Sequence, residues 1–190
     1  MQPTLQLAIN AAWIAIGLVW AVTAIAAKPI VRAEPAGSRT GHILTMALAL
    51  ALVFSPAVRL GPLAWRAVPA SAVAEEIGFA LTVAGIAFAI HSRLYLGGNW
   101  SSIAAIKQDH TLVRTGPYAV VRHPIYAGLL LGLAGTAIAY GEIGCFLGAI
   151  LAFAAWLAKA RTEESLLAGQ FGDAYRQYRR QVKTLIPFVL

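Results

Sequence analysis

Charged residues are scarce in this chain, 12% of 190 residues against 59% hydrophobic ones. Average soluble domains carry about a quarter charged residues, so a water-soluble globule is excluded and much of the surface must face lipid. Cysteine is nearly absent: Cys145 stands alone inside an apolar run, which excludes a disulfide framework and a cysteine-based zinc site. His42, His91, His110 and His123 lack the close paired spacing of metal ligands, so no metal is expected. Ionisable residues are almost missing from the interiors of the apolar runs. A transporter would place them near the bilayer midplane, so a translocation path is disfavoured.

Long apolar runs are what the chain has in place of these features. They cover residues 5–27, 43–58, 73–90, 124–140 and 143–158. The first carries no charge and is about 30 Å long as a helix at ~1.5 Å per residue, enough to cross a bilayer. It lacks the basic leader of a secretory signal peptide and reads as a retained span. The expected fold is therefore all-α: a polytopic membrane bundle of about five transmembrane helices, forming a single integral membrane domain over 1–190. Residues 1–91 would supply the N-terminal spans, and 92–190 the half that carries chemistry.

Acidic residues number 8 against 15 basic ones. With five spans, the segments after the first, third and fifth collect every basic residue except Arg59 and Arg66. The positive-inside rule then places the N-terminus outside and the C-terminus in the cytoplasm, in the inner membrane of a bacterial or archaeal cell. The net charge of +7 follows from topology and attraction to anionic lipid, and no nucleic-acid partner is expected.

Gly141-Glu142 is a tight connection that predicts an antiparallel hairpin of the last two spans. Gly128 and Gly132 on one helix, and Gly144 and Gly148 on the other, have the four-residue spacing that lets backbones approach closely. Beyond them Leu167, Phe171, Tyr175, Tyr178, Val182 and Leu185 recur at helical spacing, predicting a C-terminal amphipathic helix, weakened by Gly169 and Gly172, that could fold over the preceding loop as a lid.

Hydrogen-bonding and charged groups beside membrane spans are costly, so their clustering is informative. They concentrate in residues 98–126, and again in Lys159 to Glu164 with Phe171-Gly172 and Tyr175. Singly, each has a structural explanation: Pro124 suits a first helical turn, Arg122 could snorkel to headgroups, and the glutamates could be solvated. Together they describe a cytoplasmic pocket of cationic, aromatic and acidic groups on the ends of the last two spans.

The ordered set Leu112-Val113-Arg114-Thr115-Gly116-Pro117-Tyr118, Arg122-His123-Pro124-Ile125-Tyr126-Ala127-Gly128 and Glu163-Glu164 with Phe171-Gly172, Tyr175 and Tyr178 resembles the isoprenylcysteine carboxyl methyltransferase family. Leu96-Gly97-Gly98-Asn99-Trp100-Ser101 resembles the segment before that family's cofactor loop, so the likeness covers roughly residues 93–188. The first 91 residues carry no matching signature, which leaves the acceptor open.

The resemblance implies an S-adenosylmethionine-dependent methyltransferase whose cytoplasmic cofactor pocket is lined by His110, Val113, Gly116, Tyr118, His123, Tyr126, Arg161 and Glu164. It also implies a lipophilic acceptor reached from the bilayer, a small molecule or prenylated substrate. For a carboxylate acceptor, Arg93 or Arg122 would hold the group with Asn99 assisting. An amine acceptor, as in a phospholipid, would need a base such as His123 or Glu164. A reductase using a nicotinamide cofactor on a related architecture is the alternative enzyme class. The glycine faces permit a dimer without requiring one.

Overall fold

A computed structural model describes residues 2–190; Met1, the first residue of the expected domain, lies outside them. Six helices and one two-stranded antiparallel pair follow in the order α1 (Pro3–Ala24), β1 (Ile30–Ala33), α2 (Ala36–Phe54), α3 (Ala72–Leu96), β2 (Ala105–Lys107), α4 (Pro124–Tyr140), α5 (Ile143–Phe171) and α6 (Asp173–Gln181). By length and hydropathy α1, α2, α3 and α5 can each cross a membrane, and α4, at 17 residues, is a shorter apolar helix at the lower limit for spanning. The chain is an integral membrane protein. Leu7, Ile14, Leu18 and Val22 on α1 are all more than 60% exposed and form the lipid-facing surface such a helix requires.

Local signals set the helix ends. The Ser71 hydroxyl caps α3 by accepting the Ala74 N–H at 3.2 Å. Pro124 opens α4, and Gly141, at φ +75°, closes it in the left-handed conformation that makes the Glu142 turn into α5 possible.

Close packing follows the glycines, with partners other than the hairpin suggests. A Cβ on Gly85 of α3 would lie 2.4 Å from the Gly132 backbone nitrogen, and one on Gly135 of α4 would lie 2.5 Å from that of Thr82. The α4 glycines therefore seat α4 on α3. Gly148 brings α5 onto α2, where a Cβ would sit 2.6 Å from the Ala49 carbonyl oxygen. Backbones in lipid associate through such contacts because no hydrophobic gain separates apolar tails from apolar side chains. In the seam between α3 and α4, the Thr82 and Thr136 hydroxyls lie 3.1 Å apart, and Trp13 of α1 donates its indole N–H to Thr136 at 3.0 Å.

Two departures from the all-helical expectation position the site. β1 pairs with β2 in the register Ile30↔Lys107, Arg32↔Ile106 and Ala33↔Ala105, tying the segment after α1 to the loop before α4. The C-terminal stripe is broken: α5 continues to Phe171, Gly172 at φ +53° ends it, and α6 starts at Asp173. Leu167 and Phe171 thus belong to the long helix, and Tyr175 and Tyr178 to the short one. The chain then returns to the start of α4, where the backbone N–H groups of Arg122 and His123 donate to the carbonyls of Lys183 (2.8 Å) and Thr184 (3.0 Å).

Candidate active site

The C-terminal end of α3, the loop through β2, the first turn of α4, the outer part of α5 and α6 converge on a cavity with ≈ 810 Å³ of empty space. Of the residues singled out in the sequence, Asn99, His110, Val113, Tyr118, Arg122, His123 and Tyr126 line it. Glu163, Trp100, Thr111, Tyr175 and Tyr178 line it as well.

Arg122 organises one wall. Its Nε and one terminal nitrogen donate to Glu164 Oε1 at 2.9 and 2.7 Å, and the same terminal nitrogen reaches the Thr184 hydroxyl at 2.7 Å. The other terminal nitrogen donates to the carbonyls of Arg179 and Val182. A guanidinium has five N–H donors, and all five are engaged in tying α4 to α5 and to the returning C-terminus. Glu164 is consumed in the same network, with Arg179 at 3.6 Å from its second oxygen.

His123 is clamped between two acids: Nδ1 lies 3.4 Å from Glu163 Oε2 and Nε2 lies 3.3 Å from Glu164 Oε1. Burial by itself would lower its pKa, but the hydrogen bonds and charges of Glu163 and Glu164 outweigh burial and raise it. The His123 ring stacks on Tyr126 at 5.6 Å and 4°, and Tyr126 stacks on Trp156 at 6.0 Å and 12°, an aromatic ladder that suits the ring's charged form. With the folded pKa above the unfolded one, the stabilisation is fully present below about pH 6.5 and is lost as pH rises through the folded value. Melting temperature measured from pH 6 to 10 should therefore decline on the alkaline side, and His123→Asn should flatten that limb.

His110 is tuned the other way. Burial, then the charges of Lys28 and Lys107, lowers its pKa, and its Nδ1 accepts the Lys107 backbone N–H at 3.2 Å. The proton of the neutral ring is therefore on Nε2, which makes His110 a hydrogen-bond donor in the pocket wall. Tyr178 donates to the Tyr118 carbonyl at 2.6 Å, locking α6 against the loop. Tyr175 is 1% exposed and, among the described residues, its O–H finds no acceptor. Burial, then the Glu164 charge, raises its pKa, with Arg122 near enough to oppose that rise. A buried phenol left unsatisfied in a pocket wall marks a place for a ligand atom.

Four expected site residues lie outside the lining. Arg161 is exposed, because two residues along a helix from Glu163 is a turn of about 200°. The same phase makes Glu163 the acid of the pocket, while Glu164 lies behind it with Arg122. Gly116, at φ +57°, packs against the Tyr95 ring, which a Cβ would approach to 2.7 Å; it shapes the turn that presents Tyr118. Arg93 is 1% exposed and donates to the carbonyls of Gly97 and Thr23. It stacks over Trp100 at 4.2 Å and retains an unpartnered Nε–H. The signal for Glu163 was the acidic pair itself, and helical phase would have selected the right member. Tyr175 was visible in the stripe without a role attached.

Among the described residues no group of three or more histidine, cysteine or acidic side chains is placed to hold a metal. The molecule is thus a helical membrane protein with an aromatic, partly ionic pocket where the polar ends of its helices meet. The chain belongs to the phospholipid methyltransferase family, whose sequence profile matches residues 73–174. It is similar to protein-S-isoprenylcysteine O-methyltransferase of Schizosaccharomyces pombe, 38% identical over 49% of this chain and 41% of that one. It is also similar to the Tribolium castaneum protein of the same name, 33% identical over 60% and 42%. A solved eukaryotic intramembrane Ras methyltransferase, isoprenylcysteine carboxyl methyltransferase, shares its fold with a TM-score of 0.54 and 26% identity, covering 82% of this chain and 54% of that one. The chain spans about two fifths of the length of these curated relatives. The sequence-level resemblance to the isoprenylcysteine methyltransferases therefore holds.

Proposed function

We propose that this chain is an S-adenosylmethionine-dependent methyltransferase acting on a lipophilic, membrane-embedded acceptor that carries a carboxylate, such as a prenylcysteine or a similar isoprenoid acid. The observation that carries this reading is the unsatisfied Tyr175 hydroxyl in an aromatic pocket that holds one accessible acid, Glu163. When bound, S-adenosylmethionine supplies a methyl group on a sulfonium centre, set up for in-line displacement. Such a cation suits the faces of Tyr118 and Tyr178. Glu163 accepts from its ammonium or ribose hydroxyls, Tyr175 and the His110 Nε2–H complete its polar contacts, and α6 with the returning C-terminus excludes water.

An ionised carboxylate needs no general base, only positioning. The protein's ionic network favours that acceptor over an amine, since both ring nitrogens of His123 are engaged by acids, Glu163 at 3.4 Å and Glu164 at 3.3 Å, and Glu164 is committed to Arg122. Neither is free to take a proton. Among the three residues expected to hold the acceptor, Arg122 has spent its donors on the fold, and both amide hydrogens of Asn99 go to Thr111, at 3.3 and 2.8 Å. Arg93 lies behind the Trp100 wall with its Nε–H unspent among the described residues, and we assign it the positive potential that favours the acceptor's carboxylate without touching it. Residues 1–91 then act chiefly as lipid-facing spans and 92–190 as the catalytic half. The distribution of basic residues supports a cytoplasmic pocket and an outside N-terminus, and a bacterial or archaeal inner membrane is part of the same proposal.

Phospholipid N-methylation is the second reading, favoured by the family profile. Calorimetry on detergent-purified protein should show saturable binding of S-adenosylmethionine and of its demethylated product, with no binding of reduced nicotinamide cofactor. Methyl transfer to a farnesylated cysteine with a free carboxylate should then exceed transfer to phosphatidylethanolamine. The reverse order would shift the acceptor to the phospholipid, and binding of the nicotinamide alone would make the protein a reductase.

A further inference from the structure

A second cavity, with ≈ 570 Å³ of empty space, opens between the start of α2 and the outer part of α5. Its charged lining is Glu34 and Lys159, with His42, Thr45 and Gly41 between them. Glu34 is 6% exposed and Lys159 is 9% exposed. Among the described residues neither forms an ion pair, with the other or with any other side chain. Among the described residues the buried His42 Nδ1 has no hydrogen-bond partner. The Glu34 carboxylate is met only by neutral donors, the Ser38 hydroxyl at 2.7 Å and the Ala104 N–H; two opposite charges held out of water on one cavity without counterions are costly, and a ligand that carries both complementary charges lowers that cost.

Each charged residue also holds the backbone of one short segment. Glu34 Oε1 accepts the Ala104 N–H at 3.1 Å, and Lys159 Nζ donates to the Ser102 carbonyl at 2.6 Å. The neighbours of these two residues, Ser101, Ile103 and Ala105, line the main pocket. Lys159 Nζ lies 5.7 Å from the ring centroid of Tyr126, which lines that pocket too. The two cavities therefore share a wall, and whatever fixes Glu34 and Lys159 fixes the 101–105 wall of the other.

We infer that the cavity between α2 and α5 is a second, non-catalytic site for the zwitterionic headgroup of an aminophospholipid, with its ammonium on Glu34 and its phosphate on Lys159 and His42. The occupant is a lipid because the cavity lies where two spans reach their polar ends, and the α2 face that carries Gly41 and Thr45 continues one turn deeper to Leu48, which is 54% exposed and able to lie along an acyl chain. The site stands independently of the reaction assigned to the main pocket. Its effect on that pocket, through Ser102 and Ala104, rests on the methyltransferase reading.

The test is thermal unfolding of the full chain in detergent, titrated with phosphatidylethanolamine, phosphatidylglycerol or soluble glycerophosphoethanolamine, with the product nucleoside present at saturation so that the main pocket is filled throughout. Phosphatidylethanolamine should raise Tm saturably, by roughly 5–10 °C at a hundredfold excess over Kd. Phosphatidylglycerol should give a smaller shift. Glu34→Gln should lose the preference between the two lipids, and Lys159→Met should lose the response to both.

Because either variant could destabilise the fold, Gly41→Leu supplies an independent arm. A Cβ at Gly41 meets nothing within 4 Å, so the larger side chain starts in open space at the cavity's edge and should abolish the shift without lowering basal Tm. Equal shifts in the wild type and Gly41→Leu, or equal responses of the wild type to the two lipids, would overturn the site as drawn. A full-size response to glycerophosphoethanolamine would overturn the lipid assignment in favour of a soluble zwitterion. Failure of the product nucleoside to bind would count against the methyltransferase reading alone, and the lipid shifts would still decide the second site.

Discussion

Arg122→Ala is expected to inactivate the protein and to release its C-terminus. The substitution removes a guanidinium whose five donors are all engaged, and it leaves Glu164, 8% exposed at its side chain, facing His123 without its main counterion. Breaking one partner of a buried pair costs about 3–5 kcal/mol. The carbonyls of Arg179 and Val182 and the hydroxyl of Thr184 lose their donor in the same step. Because Tyr175 and Tyr178 are carried on the segment these bonds hold down, a shift of about 1 Å there is enough for a ~100-fold loss of turnover. Arg122→Lys should recover little, since an ammonium has three donors and no planar fork. The measurements are limited proteolysis around residues 176–183 and turnover with a confirmed acceptor. A tail that stays protected, with wild-type turnover, would make Arg122 a headgroup anchor instead.

Glu163→Gln should separate binding from folding. Glu163 Oε1 accepts the Tyr126 hydroxyl at 2.6 Å, which an amide oxygen can still do, so the melting temperature should fall only by the loss of one of the two acids on His123 and by less than in Arg122→Ala. What disappears is the negative charge beside the aromatic faces. Loss of a charged hydrogen bond, worth about 1.5–3 kcal/mol, corresponds to a ~10- to 150-fold weaker affinity for S-adenosylmethionine. The KM for the donor should rise while kcat stays close to wild type. His123 loses one of the two acids that raise its pKa, so the alkaline decline in stability should begin at lower pH. Glu164→Gln should behave differently, loosening the C-terminus as Arg122→Ala does. If the two glutamate variants behaved alike, the division between a ligand-facing acid and a structural acid would be wrong.

That division shows how far the sequence could be read. The acidic pair, Arg122-His123-Pro124 and the tyrosines of 118–126 are visible as a cluster, and most of them do meet in one pocket. Arg122 and Arg161 show where reading stops. A sequence shows that an arginine is present but not whether its donors are already taken, and Arg122 spends every one on chain segments up to 62 residues away. Arg161 sits in the motif by spacing, yet helical phase turns it to the outside. The glycines likewise announced close helix contacts, but Gly132 and Gly148 found their partners in α3 and α2, because three-dimensional packing of five helices chooses among faces that each satisfy the same small-residue rule.

By itself the sequence determined that the protein lives in a membrane, because 59% hydrophobic residues in span-length runs leave no other solvent for them. It also determined where the chemistry gathers, since polar groups beside spans persist only where they have partners. Tertiary structure alone decided which acid faces the pocket, which arginine is spent on holding the chain together, and that Glu34 and Lys159, 125 positions apart, share a second cavity. Those outcomes depend on helix phase and on hydrogen bonds between distant segments, and local periodicity carries no record of either.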